Sequence, residues 1–246
     1  MDTGAPRPIT FHPKIYDRVV PFLPAAGSRV LDVGAGEGYF SRRMKELGLH
    51  VDACDFLTDN FKCADVPFLK ANLNEAIPCA SETYDAVVSI EVVEHIENHF
   101  RFMSELMRVL KPGGVAIVTT PNVLNLPARW HFYLYGFTDC APVPLDPHRA
   151  EYFMQHVSPI SLPELIFHIE RGGGRLEALA TDRVRRSAWI PMLFYPVLAF
   201  ALRRKLRKPR YAGSRELHER HLRWMLHRAN LMGRVTIAVA RKLPPS

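Results

Sequence analysis

Cysteine is scarce in this sequence, and its spacing excludes the usual cysteine-based sites. The 246 residues include four cysteines, at positions 54, 63, 79 and 140, and none stands in the short paired spacing of a structural zinc site. The first residues also lack a cationic stretch followed by an apolar segment, which is the pattern of a secretory signal. We therefore expect reduced thiols and a cytoplasmic protein.

A long uninterrupted apolar run is absent as well. Residues 188–202 are fifteen residues without a charge, but two prolines interrupt them, and a spanning helix needs about 20 apolar residues. A transmembrane segment is therefore not expected here. The cationic cluster 203–208 follows at once, which favours peripheral contact with an anionic membrane through residues 188–208. Packing of this segment on its own core or on a partner chain is the alternative.

The net charge of +7 is concentrated in one segment. Residues 183–223 contain twelve lysines and arginines against two acids, so the remainder of the chain is acidic on balance. Basic proteins often bind nucleic acid, but surfaces that follow phosphates interleave charge with polar or stacking residues. Here the charges adjoin a long apolar run instead, so nucleic acid is the less favoured partner.

A dinucleotide-binding fingerprint is missing, but a related glycine turn is present. The fingerprint G-x-G-x-x-G would require glycine at position 39, which is tyrosine. Residues 32–38 instead read acid-x-G-x-G-x-G, between a β-branched apolar run and a helical pattern. Glycine lets the backbone approach a ligand closely, and the amides at the start of the next helix attract polar or anionic groups. We interpret this turn as a cofactor loop.

Strand and helix patterns alternate along the chain. Seven strands are predicted, at residues 29–33, 50–56, 67–73, 84–91, 115–120, 175–180 and 234–240. One intervening helix is expected to include Leu110, another to begin with a capping box at Ser161 and Glu164, and a third to run over residues 216–231. The alternation predicts an α/β fold with a doubly wound, mostly parallel sheet.

The predicted organisation has four parts. They are an N-terminal arm and helix (1–26), a core (27–184), a helical apolar and basic insertion between strands 6 and 7 (185–231), and the last strand with a tail (232–246).

An acidic residue, Asp55, ends the second predicted strand. Two parallel strands joined by a helix bring their carboxyl ends to one edge of the sheet, where α/β proteins bind ligands. A carboxylate at that edge can accept hydrogen bonds from both hydroxyls of a ribose. We therefore predict that Asp55 binds ribose; a solvated strand end is the alternative.

These segments together resemble a known family. Residues 30–38, Asp55, and the stretches EVVEHIEN (91–98) and RVLKPGGVAIVTTPN (108–122) are similar to the class I S-adenosylmethionine (SAM)-dependent methyltransferases, which include the ubiquinone-type O-methyltransferases. The resemblance covers about the first half of the chain and implies a Rossmann-like fold, SAM as cofactor and methyl transfer as the reaction. The cofactor-binding residues that it implies are Asp32, Gly34, Ala35, Gly36, Gly38, Asp55, Phe56, Asn72, Leu73 and Glu91.

One of these positions departs from the family. An acid that contacts the adenine amino group is usual at or near position 72, where this chain has Asn72. The side-chain carbonyl of asparagine can accept the same hydrogen bond.

Glu91, Glu94 and His95 are the expected reaction centre. If the chain turns helical directly after strand 4, these positions share one helix face. They resemble the E-x-x-E-H metal motif of small-RNA 2′-O-methyltransferases and ubiquinone O-methyltransferases. The small-RNA enzymes also use a downstream histidine, and here His148 or His156 would be that ligand. A divalent cation such as Mg²⁺ would lower the pKa of an acceptor hydroxyl. The alternatives are His95 as a metal-free base or orienting group, and a structural role.

The acceptor is expected to be amphiphilic. The proline-rich stretch 121–147 follows strand 5 and can form a lid or acceptor wall; its aromatic residues are Trp130, Phe132, Tyr133, Tyr135 and Phe137. We predict O-methylation of a hydroxyl on a lipid-linked, polyprenylated or glycan-type acceptor at the membrane face. The alternatives are an RNA 2′-O-methyltransferase and a SAM-binding assembly or regulatory protein without catalysis. The acceptor and the oligomeric state do not follow from the sequence.

Overall fold

A seven-stranded sheet forms the centre of the molecule. The computed structural model describes residues 12–138, 145, 146, 148, 155–206 and 215–244. The strands are β1 (Arg29–Val33), β2 (His50–Asp55), β3 (Phe68–Lys70), β4 (Tyr84–Ile90), β5 (Leu110–Pro121), β6 (Gly174–Ala180) and β7 (Val235–Lys242). Their order is β3-β2-β1-β4-β5-β7-β6, and β7 runs antiparallel to both of its neighbours. The predicted doubly wound, mostly parallel sheet is confirmed.

Helices cover both faces of this sheet. In the described residues they are α1 (Pro13–Val19), α2 (Tyr39–Glu46), α3 (His99–Val109), α4 (Leu126–Tyr135), α5 (Leu162–Arg171), α6 (Trp189–Met192), α7 (Tyr195–Leu206), α8 (Arg215–Met225) and α9 (Arg228–Met232). The predicted capping box begins α5: the Ser161 amide donates to Glu164 at 2.8 Å, and the Ser161 side chain accepts in return. None of the described helices is long and apolar enough to span a bilayer.

The apolar strands are buried on both faces, which explains their near-continuous hydrophobic pattern. Leu31 and Val87 pack in one core with Phe102 and Leu106 of α3. On the other face, residues such as Val30 pack with α1 and α2. The two cores hold the strands in place, so that the loops at their carboxyl ends meet along one edge of the sheet.

Three local predictions are wrong. The chain does not become helical directly after β4, because Glu91 has a φ of +55° and only a single 3-10 turn, Val93–His95, follows. Leu110 begins β5 instead of extending α3; the irregular stretch 111–114 is accommodated by a register shift opposite Tyr84. The helix predicted over 216–231 is two helices, separated at 226–227, where the His227 side chain accepts from the Ala229 amide and caps α9.

Helices α6 to α9 lie between β6 and β7, where the insertion was predicted. Leu231 and Met232 of α9 form a small core with Ala188, the last residue of the 3-10 turn before α6, and Leu198 packs against this core. The outer side of these helices leaves several large apolar side chains exposed. Cys54, Cys63 and Cys79 are free thiols, and Cys140 lies outside the described residues.

Candidate functional site

A cavity of about 1350 Å³ opens at the edge where the parallel strands end. Its lining combines the glycine turn after β1, the ends of β2 and β4, the segment after β3, residues 156–157, and residues 183–187 after β6. This is the position in which open α/β sheets bind their ligands. Most of the predicted cofactor residues therefore meet in one place.

The glycine turn has the backbone that its sequence predicts. Gly34, Gly36 and Gly38 all have positive φ angles, +76°, +55° and +82°. At Gly34 a side chain is excluded twice: its φ disfavours L residues, and a Cβ atom would lie 2.3 Å from Cγ2 of Val92. The glycine turn therefore lies in close contact with Val92, which belongs to the segment between β4 and His95 of the predicted reaction centre.

Asp32 supports this turn from the interior. It is buried, and its carboxylate accepts a hydrogen bond from the Ser41 hydroxyl at 2.5 Å. Burial raises the pKa of Asp32 to about 7, and the neighbouring charge of Asp55 acts in the same direction. Asp32 therefore links β1 to α2, while it also lines the cavity.

Asp55 holds the loop and borders the cavity at once. One carboxylate oxygen accepts from the Gly36 amide at 2.9 Å, and the other accepts from the Leu57 amide at 3.1 Å. Each oxygen has a further lone pair, so the carboxylate can still accept hydrogen bonds from a ligand. Phe56 beside it is 49% exposed and also lines the cavity, which makes it a platform for a planar ring.

Asn72 and Leu73 line the cavity after β3. The side-chain amide nitrogen of Asn72 donates to the Glu75 carboxylate at 2.8 Å, and the side-chain carbonyl of Asn72 accepts from the backbone amide of Asn74 at 3.2 Å. These two bonds orient the side chain and leave one lone pair on its carbonyl. Leu73 is buried beside it and supplies an apolar wall.

Glu91 lies at the sharp turn after β4 and is tied to β5. Its carboxylate accepts a hydrogen bond from the Thr119 hydroxyl at 2.9 Å. Burial raises the pKa of Glu91 to about 7, although the positive charge of Arg234 opposes the shift. The sequence analysis did not identify Thr119. The signal for it is that β4 pairs with β5, which places a hydroxyl near the end of β5 beside Glu91.

Glu94, His95 and His156 form a compact group, with one ligand atom from each within 4.8 Å of the others. Glu94 is fully buried, and neither of its carboxylate oxygens has a hydrogen-bond partner in the described part of the chain. Nε2 of His156 lies 3.9 Å from Oε1 of Glu94. Burial and the nearby charge of Glu91 raise the pKa of Glu94 well above its ordinary value. A carboxylate in this position needs a proton or a cation.

The group differs in membership from the predicted metal set. Glu91 lies outside it, because the turn at Glu91 replaces the helix face on which the set was based. His156 is included, whereas His148 is an exposed residue outside the group. The ring of His95 is oriented by Gln155, whose backbone oxygen lies 3.0 Å from Nδ1. A carbonyl only accepts, so Nδ1 carries a proton, and in the neutral form of the ring the lone pair is on Nε2.

Comparison with known proteins agrees with this geometry. Residues 31–118 match a family model described as a methyltransferase domain. The chain is 32% identical over 176 residues to the mitochondrial ubiquinone biosynthesis O-methyltransferase of Rattus norvegicus, an alignment that covers 65% of this chain and 48% of the relative. It is 34% identical over 108 residues to the ubiquinone biosynthesis O-methyltransferase of Cereibacter sphaeroides, covering 41% and 44%. The chain spans less than half the length of these relatives.

Solved structures share the fold at low identity. A SAM-dependent methyltransferase from Archaeoglobus fulgidus superposes with a TM-score of 0.57 at 18% identity, covering 93% of each chain. The cyclase SpnF superposes with a TM-score of 0.57 at 21% identity, covering 94% of this chain and 82% of its own. A cyclase with the same fold shows that the fold does not specify the reaction.

The sheet order and the matched family model define a class I SAM-dependent methyltransferase domain. The family model matches residues 31–118 of the 246, and this stretch of the chain is similar to the methyltransferase domain family.

Proposed function

We propose that the chain is a SAM-dependent methyltransferase that methylates a hydroxyl group. The observation that carries the proposal is that one cavity unites the glycine turn, Asp55, and the imidazoles of His95 and His156. One side is built to hold a nucleoside, and the other presents groups that can orient a hydroxyl or take its proton.

SAM, when bound, supplies a methyl group on a sulfonium and its own leaving group. The chain would position the acceptor hydroxyl against the methyl group and remove the proton of that hydroxyl. The Asp55 carboxylate would accept hydrogen bonds from the ribose hydroxyls, and the side-chain carbonyl of Asn72 would accept one from the adenine amino group. In its neutral form the His95 ring would act as the base through Nε2, because its Nδ1 donates to the Gln155 carbonyl.

Calorimetric titration of the whole chain with S-adenosylhomocysteine (SAH), run beside NAD, tests the cofactor. We expect saturable binding of SAH and none of NAD. Transfer of a labelled methyl group from SAM to a component of a cell extract then tests catalysis. Failure of SAH to bind would remove the proposal, and SAH binding without any methyl transfer would favour a SAM-binding protein without catalysis.

We further propose that the chain binds its acceptor, a lipid-linked, polyprenylated or glycan-type molecule, at the surface of a membrane. The support is the exposed apolar surface of α4, α6 and α7. Its members are Trp130 (62% exposed), Tyr133 (78%), Trp189 (55%), Ile190 (74%), Leu193 (78%), Phe194 (66%), Val197 (65%) and Phe200 (65%). Arg203, Arg204 and Lys205 at the end of α7 are exposed beside it, and cations of this kind attract anionic headgroups.

Charges placed in this surface should abolish membrane binding. The variant Leu193→Asp/Phe194→Asp is expected to lose at least 90% of its co-sedimentation with phosphatidylglycerol vesicles, since each buried apolar side chain contributes roughly 1.5–3 kcal/mol. Leu47→Asp/Leu243→Asp changes two exposed leucines elsewhere, 45% and 39% exposed, and should bind like the parent. Equal binding of all three proteins would exclude this surface.

A divalent cation between Glu94, His95 and His156 is a second proposal. The unpartnered, fully buried carboxylate of Glu94 fits such an ion. One carboxylate and two imidazoles suit Mn²⁺, Zn²⁺ or Fe²⁺ better than Mg²⁺, which prefers oxygen ligands. A cation held there would lower the pKa of an acceptor hydroxyl.

Titration with Mn²⁺ tests the cation without relying on turnover. We expect Mn²⁺ to raise the melting temperature of the parent chain by several degrees and to leave that of Glu94→Gln unchanged, because the variant lacks the charged ligand. Chelation should then remove turnover of the parent. Absence of Mn²⁺ and Zn²⁺ binding by calorimetry, with turnover insensitive to chelator, would leave His95 as a metal-free base.

A further inference from the structure

Arginines form a wall of the cavity that the proposed reaction does not use. Arg183, Arg185 and Arg186 follow β6 and line the same cavity as the glycine turn. Arg183 and Arg186 are exposed, and Arg185 is half-buried. The proposed cofactor residues and the reaction-centre residues Glu94 and His95 lie after β1 to β4, and His156 lies before α5, so the arginines after β6 belong to a different region of the cavity.

The order of the strands separates the arginines from the ribose side. Asp55 ends β2, while residues 183–186 lie after β6 and beside the start of β7. Three strands, β1, β4 and β5, stand between β2 and β7. At about 4.8 Å per strand spacing, the two sides are roughly 19 Å apart. The arginines are therefore on the far side of the reaction centre, where an acceptor would enter.

The backbone of this wall is fixed. Val184 forms a β-bridge with Gly233. The Arg185 amide donates to the Met232 carbonyl at 2.8 Å, and the Arg234 amide donates to the Arg183 carbonyl at 3.1 Å. The arginines are thus presented from a pinned segment, which lowers the entropy lost when they bind a ligand.

The wall keeps an excess of positive charge. The buried carboxylate of Asp182 accepts from Nη2 and Nε of Arg234 at 2.7 and 2.9 Å. Nε of Arg183 lies 3.9 Å from the same oxygen, which is too long for a hydrogen bond. Asp182 is therefore satisfied chiefly by Arg234, and it is the one acid among residues 182–186 and 234, which include four arginines. The other carboxylates of the cavity, such as Glu91 and Asp55, follow other strands.

We propose that the methyl acceptor carries a phosphate ester, which Arg183 and Arg186 bind at the mouth of the cavity. Guanidinium groups match phosphate oxygens in charge and in their paired donor geometry. The chain continues from Arg186 directly into the exposed apolar residues Trp189 and Ile190, so the acceptor is an anionic amphiphile, with its apolar part toward α6. This inference rests on the proposed methyltransferase function and names its substrate class.

The experiment compares ligands of one chain length on the SAH-loaded full chain. Geranyl phosphate, geranate and geraniol are titrated by calorimetry into the parent, into Arg183→Gln/Arg186→Gln, and into Arg171→Gln/Arg175→Gln. The last variant removes the same charge from exposed arginines at the opposite end of β6. We expect the parent and this control to bind geranyl phosphate at least tenfold more tightly than geraniol. The cavity variant should lose that preference and keep its SAH affinity within twofold.

Several results would overturn the proposal. They are equal binding of geranyl phosphate and geraniol to the parent, geranate binding as tightly as geranyl phosphate, and loss of preference in the control. A fall in SAH affinity in the cavity variant would assign the arginines to the cofactor carboxylate instead. Failure of SAH to bind the parent is a separate outcome, because it removes the proposed function before any acceptor is added.

Discussion

Replacing Gly34 with alanine should lower the affinity for SAH at least hundredfold. The substitution forces a non-glycine residue into a φ of +76° and places its Cβ atom 2.3 Å from Cγ2 of Val92. The left-handed backbone alone costs about 1–2 kcal/mol. The overlap must be relieved by moving either the glycine turn or the segment after β4, and both border the cavity. Calorimetry with SAH, together with the melting temperature, measures the two effects.

Two further variants separate strain from overlap. Gly113 has nearly the same φ, +80°, but a Cβ there meets nothing within 4 Å. Gly113→Ala should therefore lose about 1–2 kcal/mol of stability and no SAH affinity. Val92→Ala in the Gly34→Ala background removes both methyl groups that overlap, while Cβ of Val92 remains 3.3 Å away, so partial recovery of binding is expected. Retained SAH binding in Gly34→Ala would show that the turn does not contact the cofactor.

The fold was predictable because its signals are local. Residues 86–90 are apolar on both faces of a strand apart from Ser89, which indicates a parallel sheet covered by helices. Asp55 follows from the rule that ligands bind at the carboxyl ends of parallel strands. In both cases the position along the chain determines the position in space, and no long-range contact has to be known.

The geometry of the candidate reaction centre was less predictable, because distant contacts shape it. Glu91 adopts a positive φ where it is tied to Thr119 on the neighbouring strand, and no local preference of glutamate indicates that turn. The ring of His95 is oriented by the backbone of Gln155, 60 residues further along the chain. The segment after β6 is held beside the cavity by backbone pairing with residues 232–234, which includes the Val184–Gly233 bridge. Such pairings depend on the packed structure and leave no periodic trace in the sequence.

Replacing Asp55 with alanine should weaken SAH binding by about 3 kcal/mol, roughly a hundredfold. The carboxylate accepts from the Gly36 and Leu57 amides, so the change both loosens the loop and removes the proposed acceptor of the ribose hydroxyls. Asp59→Ala, which alters an exposed acid four positions further on, is the control and should change the affinity by less than about 0.5 kcal/mol.

A second ligand distinguishes the two roles of Asp55. The 2′-deoxy analogue of SAH lacks one ribose hydroxyl, and the parent should bind it at least tenfold more weakly than SAH. If Asp55 accepts from that hydroxyl, Asp55→Ala should bind SAH and the analogue with nearly equal affinity, because the partner of the missing group is also gone. If Asp55 only holds the loop, the tenfold difference should persist in the variant. Persistence would leave the Gly36 and Leu57 hydrogen bonds as the whole contribution of Asp55, and the acceptor of the ribose hydroxyls would have to be another polar group of the cavity.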